Sequence, residues 1–232
     1  MLSTESLQAC PTSTHTAKTT YSRQTQMQLF TGAHSTEHRH ALQQFIKGGF
    51  SRSYHATLET FMPVLLGIGG DKPSAALGIR SGVSPLFVET YMPAPVEDML
   101  AQVNFCTERS RIVEIGNLYS QNGRFTQPLL LLTALSLLQL NHAVMVFTAT
   151  SALRQLMAKI GLPLTFLCEA SKQSLSNEGA EWGTYYETQP QVVALRTSEV
   201  SKLVTSSEKV AQLFNSVAPL LPNITHTLEV YL

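Results

Sequence analysis

Charge is scarce in this chain, and what there is cancels. Only 14% of the 232 residues are charged, with 16 Lys plus Arg against 16 Asp plus Glu. Nothing in that balance points to nucleic acid or to an anionic membrane as a main partner. Cysteine is scarcer still. Cys10, Cys106 and Cys168 are too scattered for a disulfide framework or a zinc site, and their odd number suits free buried thiols in a reducing compartment, the cytoplasm. No apolar run reaches the roughly 20 residues that a bilayer-spanning helix needs. The longest, residues 128–140, is interrupted by Thr133, Ser136 and Gln139 and reads as a buried core helix. The first 33 residues, rich in Thr, Ser and Gln, show no basic segment followed by an apolar one, so a secretory signal is not expected and a mobile tail is. Repeats are absent too. What remains is a hydrophobic content of 44%, enough to bury the core of one sizeable α/β domain.

The most informative stretch is residues 111–126, Arg-Ile-Val-Glu-Ile-Gly-Asn-Leu-Tyr-Ser-Gln-Asn-Gly-Arg-Phe-Thr. It opens as a β-branched strand and then meets Gly116-Asn117, a pair that favours a bulge or the close approach of a ligand. Ser120 to Arg124 form a turn rich in hydrogen-bond donors. A helix follows, with Thr126 as expected cap and Pro128 in its first turn. Strand, polar turn and helix start together make an anion site in which backbone N–H groups, the helix dipole and Arg124 would face a phosphate. A plain βα unit with an unused helix start is the alternative.

Around this centre the spacing predicts a helix over residues 34–48 stopped by Gly48-Gly49, and a second short helix over 54–60. His34 and His38 are one helical turn apart, yet Glu37 is the only carboxylate nearby, so a solvated helix face is expected and no metal is assigned. Residues 61–68 and 74–80, joined by Gly69-Gly70-Asp71-Lys72-Pro73, read as an antiparallel hairpin. Residues 85–92 read as a further extended or mixed segment with Glu89 and Tyr91 on one face and Arg80 near; such polar residues either pair with one another or address a substrate. A short helix is expected over 96–103, a buried strand over 142–150, a helix over 151–160 capped by Thr150 or Ser151, strands at 165–168 and 191–195, and a last helix from 198 to about 214. The whole is an α+β chain: a mixed sheet of about six or seven strands flanked by helices, spanning 34–200, with a helical extension, 201–232, packed on it.

The separate motifs Arg80, Pro85-Leu86-Phe87-Val88-Glu89-Thr90-Tyr91, Ile112-Val113-Glu114-Ile115-Gly116-Asn117-Leu118, Val146-Phe147-Thr148-Ala149-Thr150 with Leu153-Arg154, Gly161-Leu162, and Trp182-Gly183-Thr184-Tyr185-Tyr186 resemble, in this order, the bacterial thermostable hemolysin family over roughly residues 35–200. The layout is also similar to the GNAT-type acyltransferase fold and, within it, to acyl-homoserine-lactone synthases. That resemblance implies a Glu on the central strand at Glu114, an Arg near the end of an upstream strand at Arg80, and a phosphopantetheine arm entering between two splayed strands, its amides meeting a bulge at Gly116-Asn117. Two departures stand out. The usual pyrophosphate loop with two spaced glycines is replaced by Gln121-Asn122-Gly123-Arg124-Phe125-Thr126, with one glycine, which leaves acyl-carrier protein open beside coenzyme A as the carrier. Residues 151–160 also lack the Tyr that commonly acts as general acid, so Tyr119 or Tyr186 would substitute, or the thiolate leaves unaided.

The expected function is therefore transfer of an acyl group from a pantetheine thioester, on coenzyme A or acyl-carrier protein, to a small amine or hydroxyl acceptor. Glu114, Asn117 and Tyr119 are the expected catalytic residues. Gly116, Gln121, Asn122, Gly123, Arg124, Thr148 and Arg154 would bind the donor, and Arg80, Glu89, Tyr91 and Trp182 the acceptor. For Glu114 and Arg80 a buried structural ion pair is the alternative; for Trp182 and the Tyr185-Tyr186 pair it is packing. Two other functions stay open. One is a membrane-active haemolytic protein making peripheral membrane contact, as the family's label implies; the other is a non-catalytic acyl-carrier-binding module.

Overall fold

The computed structural model describes residues 27–33, 37–175, 179 and 181–232. Seven strands form one sheet in the order β1-β2-β3-β4-β5-β7-β6. They are β1 Gln28–Ala33, β2 Val64–Gly69, β3 Pro73–Ser81, β4 Ile112–Ser120, β5 Val144–Ala149, β6 Thr165–Glu169 and β7 Gln191–Arg196. All neighbours are antiparallel except β4 and β5. The α+β mixed sheet is thus present, and the expected hairpin is β2–β3. β2 and β5 are apolar at nearly every position because helices cover both faces of the sheet, which removes the polar alternation of a one-sided strand.

One face packs on α3, Gly123–Gln139, and on the C-terminal helices α5 Thr197–Ser206, α6 Glu208–Asn215 and α7 Leu221–Tyr231. α3 is buried on almost every side, Leu129 to Leu132 among its own sheet and Ile224 and Leu228 of α7, so its leucine run is a core helix. The opposite face carries two separate apolar patches. α1, Glu37–Tyr54, covers β1 to β3, while α2, Val96–Gln102, and a single-turn helix at Phe87–Tyr91 cover β5 and β7. The seam between these patches runs along β4. α4, Ser151–Lys159, follows β5 and is capped by Thr150, whose Oγ1 accepts the Leu153 N–H at 3.2 Å.

Several sequence expectations need correction. Residues 28–33 are an edge strand rather than tail; residues 1–26 and His34 lie outside the described residues. Gly48 and Gly49 do not stop α1, and no second helix forms at 54–60. Helix propensity disfavours Gly by about 1 kcal/mol, but a Cβ at Gly49 would lie 2.3 Å from the Tyr119 ring, so this glycine lets the ring lie flat on α1. Within residues 85–92, Phe87–Tyr91 form a helical turn rather than a strand. α3 is capped by Asn122, extended at φ −158° and ψ 159°, whose Oδ1 accepts the Arg124 N–H at 3.2 Å; Thr126 is buried inside the helix and Pro128 sits in its second turn. The single C-terminal helix breaks at Ser207, which caps α6 through the Val210 N–H.

Glu89 is what holds the turn at Phe87–Tyr91. Its carboxylate takes two 2.7 Å hydrogen bonds from Arg109 and also accepts the N–H groups of Leu86 (3.0 Å) and Val96 (3.1 Å). Arg109 reaches Glu97 as well, at 2.6 Å. The Arg109 guanidinium, assisted by those two amides against some desolvation, holds the Glu89 carboxyl down at about 2. A depressed carboxyl stabilises the fold above its unfolded value, and that contribution disappears as pH falls through the folded one. Glu89→Gln is therefore expected to lose roughly 2–3 kcal/mol at neutral pH. In denaturant titrations the gap to the parent protein should narrow between about pH 4.5 and pH 2; a gap independent of pH would contradict this pairing.

Candidate active site

β4 and β5 start as partners and then part. Pairing runs from Ile112↔Val144 to Ile115↔Phe147 and goes no further. On its other side β4 meets β3 through a register shift in which Gly78 pairs with Gly116 and Ala76 with Tyr119, so Asn117 and Leu118 together oppose Leu77. This is a β-bulge, as Gly116-Asn117 led one to expect. Asn117 takes the left-handed conformation, φ 50°. That costs about 1 kcal/mol, offset by its side chain: Oδ1 accepts the Met62 N–H at 2.8 Å and Nδ2 donates to the Thr60 carbonyl at 3.4 Å. Asn117 thus pins the extended segment 60–62 to the bulge.

A cavity of about 570 Å³ fills the gap between the parted strands and is walled from both sides of the sheet. Ile115, Leu118, Phe147, Leu153 and Leu156 lie toward α3 and α4; Phe50, Tyr54, Leu58, Met62, Phe87 and Trp182 lie toward α1 and the 181–186 turn. Of the expected site residues, Arg80, Tyr91, Glu114, Gly116, Asn117, Tyr119, Thr148 and Trp182 line it.

Glu114 is 1% exposed. Its Oε2 accepts the Phe87 N–H at 2.8 Å and its Oε1 the Val88 N–H at 2.9 Å, while Arg80 Nη1 stands 3.9 Å from Oε2. Burial pushes the carboxyl above the usual range, against the pull of the two amides and Arg80. Each oxygen keeps a further acceptor position, so the group can bind two amides and still receive a proton. The Tyr91 hydroxyl shares a 2.6 Å hydrogen bond with that of Tyr186, and burial with this bond raises its pKa far beyond the ordinary phenol. Tyr91 therefore remains neutral. Trp182, tilted against Phe87 at 5.8 Å, has its indole N–H buried without a protein partner.

Other expected residues fall outside the cavity wall. Glu89 faces Arg109, not Arg80. Gln121 gives its N–H to the Ser74 carbonyl (2.9 Å), Asn122 caps α3, and Arg124 lies over the Phe125 ring at 4.8 Å on the first turn of α3. Gly123 stands beside Leu156, a wall residue, so this turn borders the α3–α4 mouth. Arg154 donates to the carbonyls of Ala149 and Gln189, both at 2.8 Å, and ties α4 to the loop before β7. The wall residues missed from the sequence include Phe50, Leu58, Met62 and Leu156, apolar side chains whose type does not distinguish a pocket wall from a core. Arg109 was missed because no local spacing links it to Glu89, 20 residues away. Among the described residues no group of three or more His, Cys, Asp or Glu is placed to hold a metal ion.

The chain belongs to the thermostable hemolysin family, whose model matches residues 18–201. No curated protein matches it. Among solved structures it is similar to the acyl-homoserine-lactone synthase LasI, 14% identical with TM-score 0.52, over 75% of this chain and 91% of that one. It is also similar to BjaI, a CoA-dependent acyl-homoserine lactone synthase solved with SAM and isopentyl-CoA, at 12% identity and TM-score 0.53, covering 80% and 90% of the two chains. FeeM, an N-acyl amino acid synthase from uncultured soil microbes, matches at 10% identity and TM-score 0.53, covering 76% and 96%. These likenesses establish a GNAT-like fold.

Asn117 provides a direct check of the bulge. Asn117→Ala leaves the Met62 amide unsatisfied and keeps the left-handed strain, for an expected loss of roughly 2–4 kcal/mol in urea unfolding. Asn117→Gly keeps the same unsatisfied amide without the strain and should recover about 1 kcal/mol of that loss. Equal stability of the two variants would contradict a strained bulge.

Proposed function

We propose that this protein is an acyltransferase that moves an acyl group from a pantetheine thioester, carried by coenzyme A or acyl-carrier protein, to an amine or hydroxyl of a small acceptor. The observation that carries the reading is the buried Glu114 carboxylate on the wall of a cavity that opens where β4 leaves β5 at a bulge. A pantetheine arm laid in that gap would find β4 backbone groups that no longer serve β5, which suits its amides and the thioester carbonyl.

In this reading the acceptor enters from the α1 side, among Arg80, Tyr91 and Trp182. Its nucleophilic atom bonds to the carbonyl carbon as the C–S bond breaks, and its proton passes to Glu114. The thiolate leaves with the electron pair; with a thiol pKa near 8.5 it needs no dedicated acid. Tyr119, held against α1 by Phe45 (5.1 Å) and Gly49, and Tyr91 serve as fixed walls and donors. Thr148 borders the arm at the start of the gap. Arg124, on the first turn of α3, would meet donor phosphate at the mouth, while Arg154 positions α4.

The family's label favours a second reading, direct lysis of membranes. Among the described residues no helix is long and apolar enough to cross one, and the exposed large hydrophobics are few: Val83 and Phe166 stand alone, and Val230 and Tyr231 are neighbours at the end of α7. Release of dye from lipid vesicles by micromolar purified protein would support lysis. Sealed vesicles would leave haemolysis to an acylated, lipid-like product.

Thermal shift and intact-mass measurements with acetyl-CoA, long-chain acyl-CoA and acyl-carrier protein, each with and without Arg124→Ala, test the donor site. Stabilisation by one donor, weakened by the substitution, is expected; no shift with any donor would overturn the acyltransferase reading. With a turnover assay in hand, Glu114→Gln is expected to lower kcat by about 10²–10⁴-fold. The parent's rate should fall as pH drops through the raised Glu114 pKa, and the variant should lack that acid limb. A variant that keeps both rate and pH profile would reduce Glu114 to a structural role.

A further inference from the structure

Met62 fills a slot that two strands have left open for it. On the α1 face of the sheet, β3 and β4 present a ladder of paired positions: Arg80 with Glu114, Gly78 with Gly116, and Ala76 with Tyr119. The first rung is the charged pair at the site. The third is covered by α1, where Tyr119 meets Gly49 and Phe45. The middle rung has no side chain of its own. A Cβ built on Gly78 would lie 2.5 Å from Met62 Cβ, and one on Gly116 would lie 2.3 Å from Met62 Cε. The thioether therefore lies directly on the backbone of the bulge, one rung from Glu114, and it also lines the cavity.

The Met62 backbone is tied by hydrogen bonds, and its side chain is held by packing alone. Its N–H is held by Asn117 (2.8 Å) and its carbonyl by Arg39 Nη2 (3.1 Å), and Arg39 Nη1 takes the next carbonyl, Pro63, at 2.7 Å. Beyond these tethers is an unbranched thioether, the side chain that re-packs most readily around an irregular apolar guest. Phe61, Leu58 and Phe50 continue the same wall.

Resting on the acyltransferase reading, we infer that the donor carries an apolar acyl chain whose path from the carbonyl runs past Met62, and that the room the Met62 side chain leaves there sets the chain length the enzyme prefers. A carbonyl held at the Gly116-Asn117 bulge sends its chain across the face of Gly116, and the atoms met there are those of Met62. A pocket of this kind discriminates by on the order of tenfold for each methylene it has room for or lacks.

The test uses acyl-pantetheine thioesters from butyryl to palmitoyl, which present the same arm without either carrier, and calorimetric affinities for the full chain. Met62→Ala empties the slot and should move the optimum to longer chains. Gly116→Ala keeps the backbone N–H but drives the flexible Met62 tip toward the cavity, so its optimum should move to shorter chains. Opposite shifts in the two variants, each with at least tenfold loss for the parent's best donor, are the expected result. An optimum that stays fixed in both, while the parent binds, would overturn the role of Met62 and leave the acyltransferase reading standing. A parent that binds none of the series would overturn both. If Met62→Ala fails to fold, the direction of the Gly116→Ala shift decides.

Discussion

The separation of β4 from β5 after four paired positions is the constraint on which the rest of the structure depends. Two adjacent parallel strands normally satisfy one another's backbone groups along their length. Here an extra residue in β4, with Asn117 in a left-handed conformation, turns the strand away from β5 toward β3. The gap that results is too large to be filled by side chains and becomes the cavity. Everything around it is arranged to hold the gap open. Asn117 and Arg39 anchor the 60–63 segment on one side, the turn at Phe87–Tyr91 closes over Glu114 on another, and the short α4 starts immediately at the end of β5.

The two carboxylates expected at the site, Glu114 as catalytic and Glu89 as acceptor-binding, are divided by their surroundings. Glu89 is bidentately paired with Arg109 and driven low; Glu114 has two amides and a distant guanidinium, and burial drives it high. A low, saturated carboxylate is a structural brace. A raised one with free acceptor positions is suited to receiving a proton from an acceptor bound beside it. The brace supports the other group, because the turn that Glu89 organises supplies the Phe87 and Val88 amides that orient Glu114.

Much of this is legible in the sequence. Gly116-Asn117 in a β-branched run announced the bulge, the 61–80 pattern gave the hairpin, and the apolar 142–150 run gave an interior strand. What was misread has physical causes. Gly48-Gly49 looked like a stop because glycine disfavours helix locally, but tertiary packing of Tyr119 decided otherwise. Residues 85–92 looked extended, yet their amides are claimed by Glu114 and Glu89 side chains distant in sequence or in the chain's next turn, so they curl. The cap moved from Thr126 to Asn122 because the extended residue that ends the turn, not the first Thr in the pattern, meets the free N–H. The aliphatic and aromatic wall of the cavity carries no local signal at all, since lining a pocket and filling a core call for the same residue types.

Hydrogen exchange of backbone amides, with and without a saturating acyl-CoA or acyl-carrier protein, tests the central claim most directly. If the parted strands hold a pantetheine thioester, the donor should slow exchange in peptides covering residues 115–120 and 148–153 and leave the distant edge strand β6 unchanged. A donor that binds but leaves both peptides unprotected would place its site elsewhere and contradict the account.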